Sequence, residues 1–577
     1  MQERTEPRVL LTLLEHFQRF FEQLSAGLPP LNASRWGISR SVDALIGLGW
    51  MLDHAAEVQK AAPGEDLSFL WRLMVMLREK TDAIMSEDDH SWEDWYLHGD
   101  PFEARVPSRP DDDGVQHLLR HGVDIGQAMK TGPLYWRMAA AQGLSAAQAA
   151  KDWQSAASAV EWAEKHLHMA DGMYYADEEV DGPNSPSRGT ETCSVVETMY
   201  SMRIAYEVTA NISFMDRLEQ IAFNSLPAAV WPDVTANVYH HASNQIHAAG
   251  PGHPGSGSGS FGYALFFCCT ANVHQGWPKF LLSAVQLTAS SGVVTISGYA
   301  PSVTIIRATA TQESSAPDEV EAAPLVVNIS GSYPFSDTAI VALSHRVDSL
   351  NLRIPCWTKG AVVSVDGGGP MQAKPCSFFT LALASSSSSS SSRSTAAVIN
   401  VTFINEIRLH RWQKSTNLNE SLASGGGVEV HRGALTFALR PKSTVDVTPI
   451  HNRSEGPGWT PPGEGYEPIS ARDVHILAGE AWNFALLESS LEFVDNNAAV
   501  PRVPFDADAV PPVLVRGKGR QVPSWTASMG NASRQGHPAP NPLPASPLTS
   551  SSPLVDLELV PFGSTNIRIA VMPTLVE

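Results

Sequence analysis

The sequence predicts a multidomain protein, a helical N-terminal half followed by antiparallel β-sandwich domains. Three observations carry this. The chain has 577 residues, more than one hydrophobic core usually spans. Apolar residues recur at three- and four-residue spacing as far as about residue 285. Beyond Lys279 the texture turns to short β-branched or alternating runs bounded by Gly, Pro, Ser or Asp. The helical runs are "LLTLLEHFQRFFEQL", "SVDALIGLGWMLDHAAE", "LSFLWRLMVMLREKTDAIM" and "SAAQAAKDWQSAASAVEWAEKHL". "ETCSVVETMYSMRIAYEVT" and "SFMDRLEQIAFNSL" then read as a helix pair, with no strong strand signal in this half. "GVVTISGYA", "PLVVNISGSY", "LNLRIPCW", "AAVINVTF", "GALTFAL" and "VDLELVPF" read as sandwich strands. The expected division is a helical domain over 1–285, a first sandwich over 286–450 and a C-terminal β-domain over 451–577. "GPGHPGSGSGSFG", the serine run Ser385 to Ser392 and "HPAPNPLPASPLTSSSP" have the composition of extended loops.

Composition narrows the partners. A net charge of −20 argues against nucleic acid and anionic lipid, and suits neutral small molecules such as sugars. No apolar run reaches the ~20 residues of a membrane helix. The opening "MQERTEPRVLLTLLEHFQRFFEQL" spaces its apolar residues as an amphipathic helix does, not as a signal peptide does. Sequons at Asn32, Asn211, Asn328, Asn400, Asn419, Asn452 and Asn531 point instead towards a secretory history, which leaves the compartment open.

Chemistry concentrates around "FFCCTANVHQGWPKF". Five cysteines make no disulfide framework, and Cys356 and Cys376 read as buried free thiols, with a bond between them as the alternative. Adjacent cysteines are poor disulfide partners, so Cys268 and Cys269 point to metal ligation or thiolate chemistry. "RGTETCSVVETMY" offers further ligands, because Glu191 and Cys193 stand two apart at a helix start. Together they form a Cys3Glu set that favours zinc. Spacing alone supports equally three buried thiols beside a capping glutamate. His240, His241 and His247 lack matched carboxylates and read as loop histidines.

"GTETCSVVE", "FFCCTANVHQGWPKF", "LNLRIPCW", "VEVHRGALTFAL" and "LVPFGSTNIRI" together resemble glycoside hydrolase family 127, the β-L-arabinofuranosidase-like proteins, from roughly residue 7 to the end. The resemblance implies an (α/α)6 barrel followed by β-sandwiches. With eight or nine helical segments where such a barrel needs twelve, the chain is expected to hold an incomplete barrel, with weak or no activity. The resemblance further implies Cys268 as nucleophile and zinc ligand, with Cys269, Cys193 and Glu191 as the other ligands. It implies Glu178 of "YYADEEVDG" as acid/base, with Glu179 its nearest rival; acidic clusters in loops are usually solvated surface, which is the alternative reading of Asp177 or Glu179. A general acid needs its proton, so a raised Glu178 pKa is expected. Tyr239 and His121 are implied sugar contacts. The implied reaction is retaining hydrolysis of a β-L-arabinofuranoside or a related pentose-like sugar. The rival reading is a non-catalytic glycan binder or inactive homologue with structural zinc, since four protein ligands resemble a closed site.

Overall fold

The computed structural model describes residues 6–27, 37, 40–85, 120–142, 145–180, 184–248, 267–288, 291–307, 323–383, 396–412, 425–449, 472–528 and 539–577. The serine run and the Gly/Ser stretch ahead of Cys268 lie outside them.

Helices occupy the predicted N-terminal runs. Pro7–Ser25, Val42–Asp53 and Ser68–Met85 bury leucines, and Ala55–Ala61 its Val58, in one cluster that also takes in Leu134, Tyr135 and Ile204. Gly122–Ala128, Thr131–Gln142 and Ala146–Leu167 follow. Thr192–Thr209 is the buried centre of this half, and Ile212–Gln220 packs beside it. Gly122–Ala128 lies close against Thr192–Thr209 because Gly126 has no Cβ to hold the helices apart. A Cβ on Gly126 would stand 2.6 Å from Thr198 Oγ1.

One expectation fails here: this half does contain strands. Gly189–Glu191 pairs antiparallel with His240–Ala242, and Asn244–Gln245 and His247–Ala248 add to sheets of the C-terminal module. These two- and three-residue strands are too short to show a period of two, and long-range pairing decides them.

The first sandwich combines a four-stranded and a six-stranded sheet. The four-stranded sheet runs Ser377–Ala382, Ser349–Ile354, Val294–Ile296, Val285–Leu287. Its Ser349–Ile354 and Val294–Ile296 strands are parallel, a departure from an all-antiparallel expectation. The six-stranded sheet is antiparallel; burial alternates along Thr338–Leu343 and Ala397–Phe403, and in the second the sequence alternates with it. Cys356 and Cys376 are both exposed and joined in a disulfide, not buried as free thiols. Their bond sits just past the last register pair of the ladder, Ile354 with Ser377.

Strands on both sides of residue 450 share the next sheet, so the change of module falls between Phe403 and Arg408. That sheet runs Arg408–Trp412, Gly427–Arg432, Leu435–Leu439, Leu554–Pro561, Val513–Gln521, Phe484–Asp495. The helical half is bolted to the first sandwich by Arg353, fully buried and paired with Asp216 and Glu219. No helix among the described residues is long and apolar enough to cross a membrane.

Candidate active site and metal centre

The site is assembled on short backbone ladders. Ala176 and Asp177 both donate their N–H groups to Gly189 O, at 3.0 and 2.9 Å. Asp177 Oδ1 accepts from Gly189 N at 2.7 Å, and its other oxygen pairs with the buried Arg188. Asp177 is therefore a buried anchor with φ of 47°, not a solvated surface acid. That anchor fixes Glu178 relative to Glu191, two residues beyond Gly189. On its other side Gly122 N donates to Glu178 O at 3.1 Å, which sets His121 beside the same loop. Glu179 points to Arg120, 3.3 Å away, so the rival acid is engaged elsewhere.

Glu191 is the N-cap residue of Thr192–Thr209, yet its side chain makes no capping bond. It turns to sulfur instead: Oε1 is 3.3 Å from Cys269 Sγ and 3.7 Å from Cys268 Sγ. Cys193, in the first turn of that helix, brings its Sγ to 3.2 Å from Cys269 Sγ. Cys268 Sγ lies 4.0 Å from Cys269 Sγ. Position near a long helix's N-terminus favours negative charge at Cys193 and Glu191. The four predicted ligands thus come together, their ligand atoms all within 4.8 Å of one another. Ligands ~2.3 Å from a tetrahedral zinc stand roughly 3.6–3.8 Å apart, and these spacings bracket that value. The donors also suit the ion chemically, since three sulfurs and a carboxylate whose Oε2 has no hydrogen-bond partner make a soft, anionic set. Val123 and Tyr239 pack around Cys193 and Cys269, giving the cluster an apolar floor.

Exposure distinguishes the thiols. Cys193 and Cys269 are buried, whereas Cys268 opens to a cavity of about 340 Å³. Hydrogen bonds from Cys193 and Cys269 pull the Cys268 thiol down, and the two donors are pushed up in turn. The first thiolate therefore settles on the exposed sulfur.

Across the cavity Glu178 is 46% exposed. Tyr239 donates its hydroxyl to Glu178 Oε2 at 2.7 Å, and His121 Nε2 stands 3.4 Å from Oε1. Tyr239 is held there by the backbone bond of Thr192 N to Tyr239 O, 2.8 Å, next to the Glu191–His240 pair. The pKa expectation for Glu178 is overturned. Burial pushes it up, but the bonds from His121 and Tyr239 more than offset this and hold it below its ordinary value. The raised carboxyl is Glu191, lifted to about 7 by burial and then by the Glu178 charge. Sequence missed this because the partners of Glu178 come from distant segments.

His240 and His241 are not loop residues. Both are buried in a strand; His240 Nε2 is 3.7 Å from Glu178 Oε2, and burial lowers its pKa to about 4. His241 bonds Asp171 at 2.7 Å and Ser225 at 3.0 Å. Gln127, Glu197 and Asn272 also line the cavity and were not singled out from sequence. Their four-residue spacing from Cys193 and Cys268 was the available signal for the last two.

Residues 165–281 match the family profile described as "Beta-L-arabinofuranosidase, GH127 catalytic domain". That segment belongs to glycoside hydrolase family 127. It runs from the end of the helix before Glu178 through the cysteine pair, so it contains Glu178 and the whole Cys3Glu cluster. Among solved structures, a protein titled "Glycoside hydrolase" is 15% identical, with 95% of this chain and 76% of that one covered at a TM-score of 0.58. Ara127N-Se, a family 127 β-L-arabinofuranosidase from Geobacillus stearothermophilus T6, is 13% identical, with 94% and 81% covered at a TM-score of 0.50. At these identities the likeness is one of fold. No curated protein sequence matches the chain.

Proposed function

We propose that this chain is a retaining glycoside hydrolase of family 127 type, acting on a β-L-arabinofuranoside or a related pentose-like sugar. One observation carries the reading: an exposed thiol of a Cys3Glu cluster shares a cavity with a half-exposed carboxylate from another segment. Glu191, Cys193, Cys268 and Cys269 would hold zinc, which supplies a thiolate at neutral pH without a separate base. Cys268 Sγ attacks the anomeric carbon while Glu178 protonates the departing glycosidic oxygen. A thioglycosyl bond forms and the C–O bond breaks. Ionised Glu178 then takes a proton from water as its oxygen displaces Cys268, giving overall retention.

The low pKa of Glu178 in the free site is the form the second step needs. For the first step, a bound sugar removes water from its exposed face, and that desolvation favours the protonated acid. Opening of Cys268 to the cavity weighs against a purely structural metal site, whose sulfurs would be enclosed. The Cys356–Cys376 disulfide, with the sequons, supports passage through an oxidising compartment.

The test is an aryl-glycoside panel with zinc quantified, followed by a mechanism-based pentofuranosyl inactivator and peptide mapping. Turnover of an L-arabinofuranoside with the label on Cys268 is expected. Zinc content unchanged in both Cys268→Ala and Cys193→Ala would sink the metal assignment, and binding without turnover would return the chain to the glycan-binder reading.

A further inference from the structure

The cavity has a second polar wall that the chemistry above leaves unused. Glu197 lies four residues beyond Cys193 on Thr192–Thr209, and Asn272 four beyond Cys268 on Phe267–Asn272. Each side chain is therefore one helical turn, about 6 Å, along from a sulfur of the cluster. The two meet: Asn272 Nδ2 donates to Glu197 Oε1 at 3.2 Å. Gln127 joins them on the cavity lining, its Nε2 committed to Asp43 Oδ2 at 3.1 Å. Glu197 and Gln127 are only 8% and 5% exposed. Even so, among the described residues Glu197 Oε2 and Gln127 Oε1 make no hydrogen bond. Leaving a buried acceptor without a hydrogen bond is costly, and here Gln127 Oε1 has none while Glu197 Oε2 has only an ion pair with Lys130 beyond hydrogen-bond range, so the wall points to a ligand that brings donors.

The surrounding charge identifies the donor. Lys130, fully buried, pairs with Asp43 at 2.8 Å and stands 3.6 Å from Glu197 Oε2, while Arg40 also lines the cavity. Arg40 and Lys130 are already matched by Asp124 and Asp43; an ammonium ligand could not accept from the Asn272 amide or Arg40, and the glutamate repels an anion. A neutral group that both donates and accepts, a hydroxyl, fits all of them: it gives its proton to Glu197 or Gln127 and offers lone pairs to the Asn272 amide or Arg40.

We propose that Gln127, Glu197 and Asn272 form a hydroxyl-reading wall that fixes which sugar the site accepts. Glu197 receives hydroxyl protons, and the two amides orient the ring one turn from the thiolate. This rests on the glycosidase reading and adds specificity residues to it.

Calorimetric titration of the zinc-loaded full chain with methyl β-L-arabinofuranoside and L-arabinose tests it, alongside Glu197→Gln, Asn272→Ala and Gln127→Leu. Loss of a hydrogen bond to a charged acceptor predicts roughly 10–100-fold weaker binding for Glu197→Gln, with zinc content unchanged. Asn272 is partly exposed, so its variant tests the wall even if Glu197→Gln fails to fold. Wild-type affinity in Asn272→Ala and Gln127→Leu overturns the wall and leaves the glycosidase reading standing. Absence of binding to the wild type overturns both.

Discussion

At the scale of single residues the site turns on how Glu178 is held. Its carboxylate is stabilised by Tyr239 and His121 against the opposing effect of burial. Tyr239→Phe removes a 2.7 Å hydrogen bond to the ionised form and nothing from the protonated form. The pKa of Glu178 therefore rises, and the limb of the kcat/KM profile that reports its ionisation moves to higher pH. A pH–rate profile of the variant unchanged from wild type would show that the limb belongs to another group. On the proposed mechanism Glu178→Gln removes both proton-transfer roles at once, so kcat should fall about 10²–10⁴-fold with zinc retained, as loss of a general acid/base does. Retained zinc is what separates this variant from Cys193→Ala, which takes a ligand out of the cluster.

Between elements, the closest approach in the active-site region is at Gly122. A Cβ added there would stand 2.5 Å from the Ala176 Cβ, and neither atom can rotate away. Ala176 precedes the Asp177–Glu178 loop, and Gly122 N holds Glu178 O. Gly122→Ala should therefore lower stability by about 1–3 kcal/mol through overpacking, and also displace the acid/base. Thermal unfolding and kcat measured together check this: a stable variant with full kcat would mean that the loop is not fixed by the helix contact. The same region shows what could be read from sequence. Strand runs such as Ala397–Phe403 were legible because one face is core and the other solvent, so burial alternates with sequence. The Cys3Glu set was legible because cysteine is scarce in this chain. Asn244 to Ala248 was not, since its strands exist only through partners more than two hundred residues away: Asn244 with Ile569 and Ala248 with Ile476. Spacing could offer the Cys356–Cys376 bond only as an alternative, because the pairing of Ser349–Ile354 with Ser377–Ala382 is what brings the two cysteines together.

Across the molecule, the helical half and the C-terminal module meet at a buried charge cluster centred on His168. Its Nδ1 lies 2.9 Å from Glu164 and its Nε2 2.9 Å from Glu429, a strand residue of the far module. Glu429 also binds His431 at 2.8 Å and accepts from Trp412, while Arg217 pairs with Glu164 and His410 stacks on His168. Burial opposes a charge on His168, but Glu429 and Glu164 on opposite sides outweigh it and raise the pKa from 6.5 to about 10. The folded state therefore binds a proton that the unfolded chain releases above pH 6.5. The sign follows: this stabilisation is complete below pH 6.5 and is lost as pH climbs towards about 10. His168→Gln leaves the buried Glu429 without its His168 partner, while the partly exposed Glu164 keeps Arg217, so it should cost about 3–5 kcal/mol at pH 6 and progressively less as the wild type loses its own proton. Unfolding midpoints of the two proteins, measured from pH 6 to pH 10, should converge at the alkaline end. Parallel curves over that range would mean that His168 is neutral in the folded protein, and that packing rather than charge joins the two modules.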